Sequence, residues 1–375
     1  VLHHGHIVER GRWHGDALTP TGWTQSIGRP FSTLVVGSLP RPVWIRELIE
    51  QRLSGAVDSV YADRTLDDVV PAVIRMQEAA GLDYVSDGEW RRDSYVNIFA
   101  DAVAGFENRS RSSIPGAVYP TPIAPLRQQR PIALHEARFA KRVAERRIIM
   151  AVPSPYTVAR RLWSPEHSTS PYPTREAFMQ ACIPIINEEL KQLTAAGVDA
   201  IQLDDPWLSL MTWLLIDPEY RDREQVIDIE HEIEMSVAGV NGAVDGVGHP
   251  FISVHLCHQH SSLEHSTRGP YDLIMGALGR MNVHRFAMEF AKPESGGIEI
   301  LGEFPQDKVL GLGVIRHADA AVETAETVVE RAEAAMQYVP VDRLTLNPDC
   351  GFAPGSFSHL DLDVAYRKLR ALSDV

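Results

Sequence analysis

Thr33-Leu34-Val35-Val36-Gly37-Ser38-Leu39-Pro40-Arg41-Pro42 separates two folds that share one sequence rhythm. Thr33–Val36 reads as a first strand, and the residues just after it decide how the later strands are arranged. A doubly wound open sheet needs a phosphate-binding glycine loop here, and Gly37-Ser38-Leu39-Pro40-Arg41-Pro42 is no such loop. Further apolar runs occur at Tyr84–Ser86, Ile148–Val152, Ala200–Leu203, Phe251–Leu256, Phe286–Phe290, Val309–Ile315 and Leu344–Leu346. Helical patterns separate most of them, at Asp68–Ala80, Glu176–Ala196, Ala320–Met336 and Asp363–Leu372. Gly81 after Ala80 and Gly197 after Ala196 are the residues a left-handed helix C-cap requires. Strands alternating with helices in this way predict an α/β protein, a closed (β/α)8 TIM barrel in a single domain over residues 32–375. Residues 1–31, with His3, His4, His6 and His14, read as an irregular N-terminal arm. The Pro-, Ser- and Arg-rich stretch from Gly105 to Pro131 has no clear period, and reads as a long loop insertion, either a lid or a poorly ordered excursion.

The composition narrows the partners. The 375 residues are 44% hydrophobic, ample for one large core. A formal charge of −14, from 36 basic and 50 acidic side chains, repels phosphate backbones and anionic lipid. No nucleic acid or membrane partner is therefore expected. No apolar run is long enough to span a bilayer, and the first residues lack the plan of a signal peptide. Cys182, Cys257 and Cys350 are too few for a disulfide framework, so a reducing, cytoplasmic setting is expected.

Loops at the C-terminal ends of the strands in such a barrel surround a common mouth, so polar residues there form the active site. Gly37-Ser38, Asp87-Gly88-Glu89, Asp204-Asp205-Pro206, His255-Leu256-Cys257-His258, Glu289 and Asn347-Pro348-Asp349-Cys350 all fall at those ends. His255 and Cys257 are two apart, so an extended strand projects both from one face. With Cys350 they would bring two thiolates and an imidazole to one point, a soft donor set that selects Zn2+. Glu289, on the strand between, is the expected fourth and displaceable ligand. The plainer reading makes Cys257 and Cys350 buried core thiols and His255 a hydrogen-bonded core histidine. Cys182, inside a helical pattern, reads as a core residue.

These motifs resemble the C-terminal catalytic barrel of cobalamin-independent methionine synthase and its single-barrel relatives, among them the epoxyalkane:coenzyme M transferases. Val36-Gly37-Ser38-Leu39-Pro40-Arg41, Asp87-Gly88-Glu89, Ile201-Gln202-Leu203-Asp204-Asp205-Pro206, His255-x-Cys257 and Asn347-Pro348-Asp349-Cys350-Gly351 carry the likeness. It implies zinc ligands at His255, Cys257, Glu289 and Cys350, and an amino-acid site at Ser38, Glu89 and Asp204 facing the ammonium of homocysteine. The long enzymes' second barrel, which helps hold polyglutamyl folate, has no counterpart in these residues. Asp205 replaces the usual Glu, Trp207 a small residue, and Gly351-Phe352 the usual Gly-Leu-Lys. Those departures leave the alkyl donor open.

An ordinary alkyl thiol, with a pKa of about 8.5, is mostly protonated at neutral pH, and zinc coordination deprotonates it. The expected activity is thus zinc-dependent alkyl or methyl transfer to a small thiol, homocysteine or a close analogue. His258, His260, His284 and Asp349 are candidates for the acid that protonates the leaving atom. Arg91 and Arg92 are candidates for holding a carboxylate or sulfonate, and Trp207 for a stacking wall. A small-molecule thiol and an alkyl donor are the expected partners; a corrinoid or other donor-delivering protein and self-association stay open. Epoxide opening by a thiol is the alternative, for which the Arg91-Arg92 pair is the positive sign. A metal-free barrel of the uroporphyrinogen decarboxylase type and a hydrolase using Asp204 with Glu89 or Glu289 are further alternatives, and neither needs the two cysteines.

Overall fold

The computed structural model describes residues 30–375 except 112–113, 224–225, 227, 249, 259–268 and 354–359. Its strands are β1 Ser32–Thr33, β2 Tyr84–Val85, β3 Val103–Arg111, β4 Ile114–Gln128, β5 Arg147–Pro153, β6 Ala200–Asp204, β7 Phe251–Leu256, β8 Arg285–Glu289, β9 Val309–Ile315 and β10 Leu344–Pro348. All but β3 and β4 lie in one sheet, in the order β1-β10-β9-β8-β7-β6-β5-β2. Every pairing along it is parallel, and a further parallel bridge, Leu34 to Tyr84, joins its two ends. The sheet is therefore a closed (β/α)8 barrel. None of the helices among the described residues is long and apolar enough to cross a membrane.

Local chemistry places the outer helices. Asp58 caps the helix Ser59–Ala79 by accepting from the Tyr61 amide at 3.0 Å, so this helix begins well before the expected Asp68. Thr174 caps Arg175–Ala195 in the same way, and Thr324 caps Ala325–Met336, which moves that start in from Ala320. Gly81 and Gly197 terminate the first two helices with φ of +91° and +79°.

The stretch from Gly105 to Pro131 corrects the expectation of an aperiodic loop. It is mostly an antiparallel hairpin of β3 and β4. Phe106 meets Phe99 and Phe178 edge-on, with ring centroids 6.1 Å apart in each case, and pins the hairpin to the barrel's helices. Prolines hide the strand in the sequence, yet each strand of a two-stranded ribbon has an open edge where a missing N–H costs no ladder bond.

The interior of the barrel is unusually polar, and strand parity shows how. Ser253 and His255 of β7, Arg285, Ala287 and Glu289 of β8, Gly311 and Gly313 of β9, and Thr345 and Asn347 of β10 share one side of the sheet. Hydrogen bonds from Arg285 to Ser253 (3.1 Å) and Thr345 (2.8 Å), and another to Asn347, cross the lumen and identify that side as the inside. The glycines of β9 make the room. A Cβ on Gly311 would lie 2.3 Å from an Arg285 nitrogen, and one on Gly313 would lie 2.4 Å from Asp349 Oδ1. The intervening leucines, Leu310 and Leu312, belong to the apolar core outside.

Candidate metal centre

β7 ends on His255 and Leu256, with Cys257 next in the chain. β10 ends on Pro348, with Cys350 two residues on. A ring nitrogen of His255 and the Sγ atoms of Cys257 and Cys350 all lie within 4.8 Å of one another. The three residues are 4%, 7% and 8% exposed, so the cluster sits at the bottom of the mouth, withdrawn from bulk water. Ser209 Oγ donates to the Cys257 carbonyl and holds that turn in place. Gly351 lets β10 run against the end of β1, because a Cβ there would meet the Ser38 amide nitrogen at 2.7 Å, and Phe352 N donates to Ser38 O at 2.8 Å.

This donor set fits a zinc ion. Ligand atoms around one tetrahedral zinc stand about 3.3 to 3.8 Å apart for bonds of 2.0 to 2.3 Å, so the observed spread needs only small side-chain adjustments. His255 adds a second sign. Among the described residues neither of its buried ring nitrogens meets a partner at good hydrogen-bonding geometry, with only the Cys257 sulfur acting on it as a hydrogen-bond neighbour, an expensive arrangement for a buried imidazole. Burial works against its protonation, but the Cys257 sulfur, Asp204 and Glu289 beside it outweigh burial and push its pKa up to about 8. The hydrogen bond with Cys257 and burial push the Cys350 thiol up.

Glu289, the expected fourth ligand, stands close by and acts on both His255 and Cys350. It lies outside the three-residue cluster, and His258 occupies its carboxylate: the His258 amide meets Oε1 at 3.2 Å and Nδ1 meets Oε2 at 3.1 Å. The other ring nitrogen of His258 faces the Gly269 carbonyl at 3.0 Å. Both nitrogens point at acceptors, an arrangement that two ring protons would satisfy. His258 is thus committed to holding Glu289 and is not a free acid at the mouth. The Tyr271 hydroxyl ties the same region together, accepting from Glu289 N at 3.0 Å and donating to Leu256 O at 3.3 Å.

Ser38, Glu89 and Asp204 gather beside the cluster. Asp204 is the lateral neighbour of His255 in the β6–β7 register. Burial raises its pKa to about 7; His255 and a 2.8 Å hydrogen bond from Gln202 oppose this, while Glu89 and Cys257 add to it. Burial also raises Glu89, against the opposing pull of Arg92 and Arg41. Glu89 has φ +57°, a left-handed conformation that costs a non-glycine residue about 1–2 kcal/mol. The Asp87 carboxylate accepts its amide at 3.1 Å and Arg41 donates to its carbonyl at 2.8 Å, so the neighbourhood enforces the turn that aims this carboxylate.

The arginine pair is buried against protein carboxylates. Arg92 is buried behind Glu89, donating to Glu136 Oε2 at 2.8 and 2.5 Å and to the Ala151 carbonyl at 2.9 Å. Arg91 is buried as well, pairing with Asp67 at 2.7 Å with its guanidinium over the Phe139 ring. Both guanidinium groups face carboxylates of the protein itself, so their placement adds no support for epoxide opening. Trp207 packs in the core, with the Arg160 guanidinium 4.8 Å from its ring centroid. Asp349 accepts the amides of Phe290 (3.1 Å) and Ala291 (3.0 Å), fastening the end of β8 to that of β10. His284 lies at the opposite end of the barrel, where Nδ1 accepts from the Ile252 amide at the start of β7. His260 lies outside the described residues.

Two residues at the mouth escaped the sequence reading. His317 is buried just beyond β9, and the rule that found the other strand ends, applied to Val309–Ile315, would have reached it. Tyr95 is half-buried, and its hydroxyl, pushed up by burial, feels Cys257, Arg161, Asp204 and Cys350 together. It stands directly after no strand, so no local signal marks it.

The catalytic-domain model of the cobalamin-independent synthases matches residues 31–359. The methionine synthase of Saccharolobus solfataricus is 28% identical over 341 residues, 90% of this chain and 91% of that protein. The methionine synthase of Sulfurisphaera tokodaii is 26% identical over 341 residues, 90% and 89% of the respective chains. Among solved structures, a B12-independent methionine synthase from Shewanella sp. W3-18-1, in complex with selenomethionine, superposes with a TM-score of 0.72 at 24% identity, covering 92% of this chain and 96% of its own. The family model spans nearly the whole barrel and every strand end described above, and this chain belongs to the cobalamin-independent synthase catalytic-domain family.

Proposed function

We propose that this chain is a methyltransferase acting on a small thiol, homocysteine or a close analogue, and that it holds Zn2+ through His255, Cys257 and Cys350. The observation that carries the reading is the convergence of those three soft donors, from two distant strands, within 4.8 Å of one another. A zinc ion held there would supply the Lewis acidity that keeps an incoming thiol deprotonated at neutral pH. The chain's own groups do the rest. Glu89 and Asp204 are two buried carboxylates whose ionised forms are penalised by burial; a substrate ammonium placed beside them would relieve that penalty and fix the amino end of the acceptor. Buried walls exclude water, and fixed placement of thiol and donor carbon contributes several kcal/mol through orientation. His317, buried just beyond the end of β9 on the mouth face of the barrel, is the group assigned to protonating the leaving atom.

Metal analysis and calorimetry of the wild type, Cys257→Ser and Cys350→Ser test the reading. One zinc per chain, thiol binding with proton release, and at least a thousandfold loss of methyl transfer in both variants are expected. Full activity in either variant would leave a carboxylate-based reaction as the better account.

A further inference from the structure

Arg161 lies near the end of the short helix Pro155–Leu162, directly after β5. Its guanidinium stacks over Tyr119 of β4, 4.4 Å from the ring centroid. The hairpin therefore braces this side chain from one side. Other buried or half-buried arginines are paired: Arg160 and Arg175 with Glu232, Arg92 with Glu136, Arg91 with Asp67. Arg161 is only half-buried, and among the described residues no carboxylate pairs with it.

Its position gives that charge a use. The helix Pro155–Leu162 leaves the C-terminal end of β5, the face of the barrel that carries the mouth, and Arg161 is among the charges that act on the Tyr95 hydroxyl together with Cys257, Asp204 and Cys350. The other charged groups gathered around the cluster are largely acidic: Glu89, Asp204, Glu289 and Asp349, with the two cysteines. Arg92 and Arg41, the cations nearest Glu89, are spent on Glu136, Glu89 and backbone carbonyls. An anionic ligand approaching this ring would be repelled without a cation at the entrance. A guanidinium seated over an aromatic ring can still direct N–H groups to a carboxylate or sulfonate in two parallel bonds.

We infer that Arg161, braced on Tyr119 in the helix that follows β5, is the binding point for the anionic head group of a molecule entering the mouth. Arg91 and Arg92, by contrast, are paired with Asp67 and Glu136. The inference rests on the proposed thiol chemistry only in identifying that molecule as the acceptor or its alkyl donor.

Calorimetry on the zinc-loaded full chain tests it, with 3-mercaptopropionate, 2-mercaptoethanol and the thiol-free dianion glutarate as probes. Wild-type protein is expected to prefer 3-mercaptopropionate over 2-mercaptoethanol by about tenfold. Arg161→Gln should erase the preference and leave 2-mercaptoethanol affinity unchanged, while Arg161→Lys restores part of it. Thermal unfolding of each variant separates these losses from misfolding. Glutarate binding that disappears in Arg161→Gln identifies the donor as the source of the anion; dependence confined to the anionic thiol identifies the acceptor. Binding of every probe unchanged by Arg161→Gln, or no binding of either anion, overturns the assignment. If neither thiol binds the wild type but glutarate binds through Arg161, the thiol reading fails and the anion site stands.

Discussion

His284 and Arg285 are adjacent residues on opposite sides of one strand start, and they illustrate two ways to bury a base. Arg285 sits in the lumen, where it donates to two hydroxyls and an amide oxygen rather than to a carboxylate, and burial lowers its pKa to about 9. Gly311 is the complement of this arrangement, since any side chain there would displace the guanidinium. His284 is kept neutral instead. Burial lowers its pKa from 6.5 to about 4, with Lys308 adding to the effect, and the Ile252 amide needs an unprotonated Nδ1. Between pH 6.5 and 4 the unfolded chain therefore binds the proton and the folded chain does not, so stability is present above pH 6.5 and falls as the pH drops toward 4. The loss attributable to this residue is up to about 3 kcal/mol. Urea titrations at pH 7 and pH 4.5 should show a smaller pH dependence for His284→Asn than for wild type; equal dependence would mean that another group accounts for the slope.

At the scale of elements, the segment between β9 and the helix Ala325–Met336 carries His317 and is held from outside. Lys368, fully buried on the C-terminal helix Leu362–Ser373, donates to the Ala321 carbonyl and to Glu323 Oε2 at 3.1 Å. Glu323 in turn accepts the Arg316 amide at 2.8 Å. Lys368→Met leaves Glu323 short of its buried cation and should cost about 2–4 kcal/mol, read from urea unfolding. Methyl transfer should fall while zinc affinity stays within about twofold, because none of the clustered donors lies on this segment. Loss of zinc on the same scale as activity would place the lesion in the metal centre instead. The hairpin β3–β4 belongs to the same scale. Its strands were illegible in the sequence because proline dilutes the period, and only its pairing partner and Phe106 packing make it an element.

Across the whole molecule, closure of the barrel is uneven. From β5 round to β10 consecutive strands pair over four or five residues, whereas β1, β2 and the Leu34–Tyr84 bridge hold the seam with one or two. The amides of Leu34 and Asp83, bonded across this seam to Leu346 O and Thr33 O, should exchange with solvent well before those of β7. Hydrogen exchange measured residue by residue checks this; equal protection around the barrel would show that it opens only as one unit. The seam lies beside Ser38, Glu89 and Cys350, so its opening would disturb the amino-acid end of the site before the His255–Cys257 strand.

Strand positions were decided by local chemistry. Phe251–Leu256 and Val309–Ile315 are strands with the bounds their apolar runs predict, because a strand buried on both faces must be apolar throughout. The same logic places His255, Cys257 and Cys350 at the mouth, since barrel topology brings every strand end to one face. What the sequence could not decide was which charge meets which. His258 engages Glu289, Arg92 engages Glu136 and Arg91 engages Asp67, partners 24 to 44 residues apart for Arg91 and Arg92; Arg161 meets Tyr119. Periodicity reports only which face a side chain occupies. The partner it finds there depends on how separate elements pack, and that is settled by the desolvation of each charge in the finished fold.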